Sequence, residues 1–202
     1  MPEAKYMKSD QRRAVTVEAV LALAATQNPG DITTAAVAKQ MGVTQGALFR
    51  HFPSKEALLQ TVMEWVAKAL LARLDEAARE STHALEALPR IFLAHAEFIA
   101  DHPGVPRLLF GELQHAKRSA PKRLAEALLR NYGERLRFWI EHGKQAGQLD
   151  EQLDASAAAT LFIGMIQGLV MQALLAEDVE RIRLEAPKIL AIYLRGISRR
   201  TE

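Results

Sequence analysis

The chain of 202 residues contains no cysteine. That excludes a disulfide framework, a thiolate-held metal and a cysteine nucleophile, and it fits a reducing compartment, so a cytoplasmic protein is expected. Aromatics make up only 6%, and 11 Gly with 8 Pro are too few for a low-complexity or fibrous chain. The opening stretch MPEAKYMKSDQRRA lacks the apolar run of a secretory signal. Net charge is also small, at +2. What is present is 49% hydrophobic residues, on a length that builds one or two domains with a core of their own.

The distribution of the charge says more than its sum. Residues 1–60 hold seven cations (Lys5, Lys8, Arg12, Arg13, Lys39, Arg50, Lys55) against five acids, so the whole excess of +2 lies there and the remainder is neutral. Between Ile32 and Lys55 there are three cations and no acid. An acid-free segment is compatible with a polyanionic partner.

Ala and Leu dominate, apolar residues recur at three- and four-residue steps, and strand-like alternation is absent, so the fold class is all-α with about nine helices. The first helix spans Asp10–Thr26, with Val15, Ala19, Ala22 and Leu23 as its apolar stripe, and ends at Asn28-Pro29-Gly30. Two short helices flank Met41-Gly42-Val43. Ser54 caps a long helix reaching about Ser81, whose apolar side includes Leu58, Val62, Trp65, Val66 and Leu70. Helices follow over His83–Asp101, Val105–Ala116, Pro121–Gln145, Asp154–Ala176 and Val179–Ser198; Pro89 marks a kink or a later start, and Pro187 a kink or a break.

Ala155–Ala176 is a run of 22 uncharged residues, long enough for a bilayer. Its flanks are acidic, it carries Ser156, Thr160, Gln167 and Gln172, and it lacks a Trp/Tyr belt. It therefore reads as a helix buried on most of its circumference, in a core shared with a second subunit. Gly164 and Gly168 allow a close helix approach there, and no membrane partner is expected.

The chemistry is concentrated in Ile32–Lys55. Thr33 or Thr34 caps a helix with Val37, Ala38 and Met41 inside; Gly42 supplies a positive-φ turn; Thr44 caps a second helix with Ala47 and Leu48 inside. Ala38 leaves room for a steep crossing. This is helix-turn-helix geometry, whose second helix enters a DNA major groove. Its outer face is Thr44, Gln45, Gly46, Phe49 and Arg50. Gln45 can offer donor and acceptor together to adenine, and Arg50 can pair with guanine or phosphate. Thr33, Thr34 and Lys55 are placed to hold phosphates.

The same segment resembles the DNA-binding domain of TetR/AcrR-type transcriptional regulators. The resemblance rests on Ile32-Thr-Thr, Val37-Ala38, Gly42-Val43, Thr44-x-Gly46, Phe49-x-His51-Phe52 and Ser54-Lys55-x-x-Leu58, and on the order of the helices. It implies a DNA-binding domain over 1–55 and a ligand-binding and dimerisation domain over 56–202. It also implies a homodimer on a palindromic operator, acting as a repressor released by a small effector, with His51 and Lys55 in matching positions. Phe49 departs from the family's usual Tyr and lacks the hydroxyl that reaches phosphate there.

Outside this segment no H-E-x-x-H, G-x-S-x-G or P-loop pattern occurs, and the six histidines are scattered, so neither an enzyme nor a metal or other cofactor is expected. Candidate pocket residues for a hydrophobic effector are Trp65, Phe92, His95, Phe110, Phe138, Met165 and Gln167. Candidates for the dimer interface on the last two helices are Gly164, Gly168, Met171, Leu175, Leu190 and Leu194.

Overall fold

The computed structural model describes residues 9–114, 116 and 119–199. Among these the chain forms nine α-helices: α1 Ser9–Thr26, α2 Thr34–Gln40, α3 Gln45–Phe49, α4 Lys55–Ala78, α5 Ala84–Asp101, α6 Gly104–Gln114, α7 Ala120–Gln145, α8 Ala155–Leu175 and α9 Glu180–Ile197. No strand occurs among the described residues; a single antiparallel bridge joins Leu149 to Ser198. The expected boundaries hold to within a few residues. Lys5, Lys8 and His115 lie outside the described residues.

Two details differ from the sequence reading. Pro89 and Pro187 sit inside uninterrupted helices. Pro89 is half-buried and Pro187 exposed, so the backbone bond each forfeits lies near solvent. On α1, Thr16-Val17, Ala19-Val20-Leu21 and Ala24 are buried; of the expected stripe Ala19 is buried, Val15 and Leu23 are half-buried, and Ala22 is exposed. The apolar residues at 15–24 are dense enough to fit more than one helical stripe, and packing selects one of them.

The chain divides into two compact units, residues 1–68 with 102–126, and residues 69–101 with 127–202. In this grouping residues 56–68 and 102–126 fall together with the residues 1–55 of the expected DNA-binding domain. In that unit α6 packs on α1 and on the 3-10 turn Pro29–Asp31. The approach is close: a Cβ built on Gly104 would stand 2.2 Å from the Leu21 carbonyl oxygen. The core of the second unit is formed by α5, α8 and α9 with the inner face of α7, where Leu128, Tyr132, Leu136 and Ile140 are buried.

Both ends of α8 are closed, one by a side chain and one by a turn. Asp154 caps α8, its Oδ1 accepting from the Ser156 and Ala157 amides at 2.8 and 3.0 Å. Those two bonds, Ala157's first, hold the Asp154 carboxyl below the usual carboxylate range. At the other end of α8, Glu177 adopts φ 53°, and the Asp178 amide returns to the Ala173 carbonyl at 3.0 Å.

Gly104→Ala should lower stability by roughly 1–3 kcal/mol, since backbone rather than a pliable side chain must move. Gly30→Ala, where nothing lies within 4 Å, is the control. Equal melting temperatures for the two variants would contradict the close α1–α6 packing.

Candidate DNA-binding site

The two short helices of the head are fixed at every end. The Thr33 hydroxyl accepts from the Ala36 amide at 3.1 Å, and Thr44 accepts from Ala47 at 3.2 Å. Between them, Gly42 takes φ +67°, its amide bonds to the Lys39 carbonyl at 3.1 Å, and Val43 bonds to Ala38 at 3.0 Å. That pair of bonds is the Schellman closure, and it turns the chain sharply from α2 into α3. Val37, Ala38 and Leu48 are buried beneath the corner. From α1, the buried Thr16 hydroxyl faces the Met41 sulfur at 3.5 Å.

On the outside, Thr44, Gln45, Gly46, Phe49, Arg50 and His51 are all exposed. Thr33, at the start of α2, is exposed as well. Gln45 Nε2 donates to the half-buried Thr34 hydroxyl at 3.0 Å, so the amide that can read a base is held against the start of α2. Arg12 of α1 donates to His51 Nε2. Arg12 was not among the expected site residues; no local pattern signals it, because 39 residues separate the pair.

Lys55 is placed differently from a free phosphate contact. Its ammonium donates to the Gly30 and Pro29 carbonyls at 2.8 and 3.3 Å, tying the start of α4 to the turn after α1. An ammonium has three N–H donors, so one remains for a further partner.

The expected pocket residues are divided between the two units. Trp65 and Phe110 belong to the first unit and the other five to the second. In the first, Trp65 packs edge-on to His102 at 5.4 Å. In the second, Phe92 and His95 are buried, Phe138 is exposed, and Gln167 points outward from α8. His95 Nδ1 and the Tyr132 hydroxyl share a hydrogen bond at 3.3 Å, and the Phe162 ring stacks edge-on against Phe92 and Tyr132. His95 is thus a satisfied core histidine. Burial alone lowers its pKa from 6.5 to about 4. Tyr132 and Phe162 were not singled out from the sequence, although the i, i+4 spacing Leu128–Tyr132–Leu136–Ile140 marks Tyr132 as core.

On the last two helices, Gly164, Gly168, Met171 and Leu175 lie on one exposed face of α8 together with Leu161. Leu190, expected on the same surface, is instead buried within this protomer beside Ala186 and Tyr193, and Leu194 is half-buried. The outward apolar residues of α9 are Leu184 and Ile192, at 66% and 63% exposed. α8 is long and apolar enough to cross a membrane by length and composition alone, and much of it is uncovered within the chain. One side packs on α5 and α9, so burial round most of the circumference is not met within one chain.

A capped helix-turn-helix with a polar, acid-free outer face, carried on an all-α body, defines a DNA-binding regulator of the helix-turn-helix class. Residues 17–62 match the family described as bacterial regulatory proteins, tetR family, and residues 81–171 match the tetracyclin repressor-like C-terminal domain. The chain belongs to the TetR family of transcriptional regulators. Among relatives, it is 28% identical over 165 residues to the nucleoid occlusion factor SlmA of Vibrio atlanticus (strain LGP32), covering 80% of this chain and 82% of that protein. The SlmA of Sodalis glossinidius (strain morsitans) is 25% identical over 195 residues, covering 95% and 98%. The fold is also that of the transcriptional regulator FadR from Bacillus subtilis, solved with stearoyl-CoA, at TM-score 0.80, 21% identity and coverage of 91% and 98%.

Because His95 binds its proton less readily when folded, stability is complete above about pH 6.5 and is lost as pH falls toward 4. This one group should contribute a loss of about 3 kcal/mol by pH 4. His95→Gln should flatten that part of the stability profile in denaturant titrations, and parallel profiles for the two proteins would refute the assignment.

Proposed function

We propose that the chain is a homodimeric, sequence-specific transcriptional repressor of the cytoplasm that binds a palindromic operator and is released by a small hydrophobic effector. The observation that carries the DNA part is the head itself, where Gln45 and Arg50 stand exposed on a helix capped by Thr44. Gln45 and Arg50 read base edges. Thr33, Thr34, His51 and Lys55 hold phosphates, and Gly46 lets the backbone approach the duplex. Phe49 contributes ring packing without a hydroxyl.

A five-residue reading helix contacts few base pairs, so two heads about 34–36 Å apart are needed for operator specificity. The uncharged outer face of α8 supports this dimer. Gly164 and Gly168 allow close approach, Leu161, Met171 and Leu175 provide the apolar contact, and Leu184 and Ile192 extend it on α9. An effector releases the DNA only by the difference in its affinity for the two states.

The relatives named nucleoid occlusion factor favour a second reading, in which the same head marks many chromosomal sites and no effector is needed. Selection of bound duplexes from a random pool, mapped onto the genome, decides between them. One or a few palindromes beside genes fit the repressor; many scattered sites fit the second reading.

Gln45→Ala should change base preference at its position and cost roughly 1–3 kcal/mol on the selected site. Lys55→Ala should weaken all sequences about equally and flatten the salt dependence. Unchanged operator affinity in both variants would sink the DNA assignment. In sedimentation, the protein should show twice the 22.4 kDa chain mass, and Met171→Glu should return it to one chain. A Met171→Glu variant that stays dimeric would place the interface elsewhere.

A further inference from the structure

We propose that the open cavity bounded by the end of α4, α5 and α7 binds a neutral, planar aromatic molecule carrying one hydroxyl, with Ser81 as its polar anchor. The cavity measures about 490 Å³, within the range of small-molecule sites. Leu74, Ala78 and Ile91 give it an apolar wall. Ser81 also lines it, is only 9% exposed, and its Oγ is a buried side-chain polar atom without a hydrogen-bond partner. Buried hydroxyls are nearly always bonded, so an orphan at a cavity wall marks a position where a ligand group is accommodated. Rotation about the Ser81 Cα–Cβ bond is the movement by which the hydroxyl would meet a ligand in the cavity.

The remaining lining specifies the molecule. Phe138 is 65% exposed, and Trp139 stands edge-on to it at 5.5 Å, so the rim offers uncovered aromatic surface to a flat ring. The four charged lining residues, Asp75, Glu134, Arg79 and Arg135, sum to zero. Asp75 takes the Arg135 Nε and Nη2 at 2.7 and 2.9 Å, and Arg79 pairs with Glu76. These pairings balance the charged lining internally, so it presents no net charge to a ligand and suits a neutral one.

The site is argued from the cavity alone and does not depend on operator release. The test uses 2-naphthol, and naphthalene as its hydroxyl-free counterpart, in saturation-transfer NMR and calorimetry on the full chain. Saturable sub-millimolar binding of 2-naphthol is expected. Ser81→Ala should weaken 2-naphthol about 3–10-fold, leave naphthalene unchanged, and preserve the melting temperature, since it removes an unbonded hydroxyl. Phe138→Ala, at an exposed position, should weaken both. Absence of saturable binding, including a cavity already covered by a second copy of the chain, overturns the proposal. So does 2-naphthol binding that neither variant changes. Operator affinity is measured separately: 2-naphthol bound without DNA release counts against this molecule as effector, while the site stands.

Discussion

A helix of five residues has too few internal hydrogen bonds to hold itself, so the DNA-facing surface depends on how α3 is restrained from outside. Three restraints meet there. The Thr44 hydroxyl closes its first turn, Gly42 in the left-handed region sets its direction from α2, and the buried Leu48 fixes its rotation. With rotation fixed, Gln45, Phe49 and Arg50 have no choice but to face outward. The same restraints explain the absence of acids from Ile32 to Lys55. Every cap in the corner is a hydroxyl, which satisfies a backbone amide without adding negative charge to a face that meets phosphate.

The restraint extends beyond the corner by polar contacts of long sequence range. Lys55 fastens the start of α4 to the Pro29 and Gly30 carbonyls, and Arg12 reaches His51 just past α3. Both cations belong to the excess that gives the chain its +2. Part of that excess is therefore engaged inside the head, and the charge available to DNA is less than a count along the sequence implies. Engaged donors are also oriented donors, and on the proposed function an ammonium with one N–H to spare would meet a phosphate with little further loss of side-chain entropy.

The helices and the head were legible in the sequence for local reasons. Gly42, Thr33, Thr44 and Ser54 each declare a helix end through their own backbone chemistry, and 3.6-residue periodicity does the rest. What was not legible needed tertiary information. Leu190 and Ile192 are both apolar on one helix, and nothing local says which of them turns into its own core. The placement of Ala22 fails for the same reason. Lys55 shows the same limit in polar form, because its carbonyl partners lie 25 and 26 residues away. The orphan hydroxyl of Ser81 has no sequence signature at all; it is defined by what fails to surround it.

The second unit solves a different problem with α8, a helix without a single charge. Its inner side packs Phe162 against Phe92 and Tyr193, and the Tyr193 hydroxyl donates to the Ala158 carbonyl at 3.0 Å. Its outer side repeats small and apolar residues from Ala157 to Leu175. Were the outer side lipid-facing, Ser156, Thr160, Gln167 and Gln172 would stand in hydrocarbon along that same stripe. Facing another protein helix, the same residues are ordinary, because Gly164 and Gly168 bring backbones close and the amides can bond across the seam. Composition alone could not separate these settings; the order of polar and small residues along one face is what favours the protein partner.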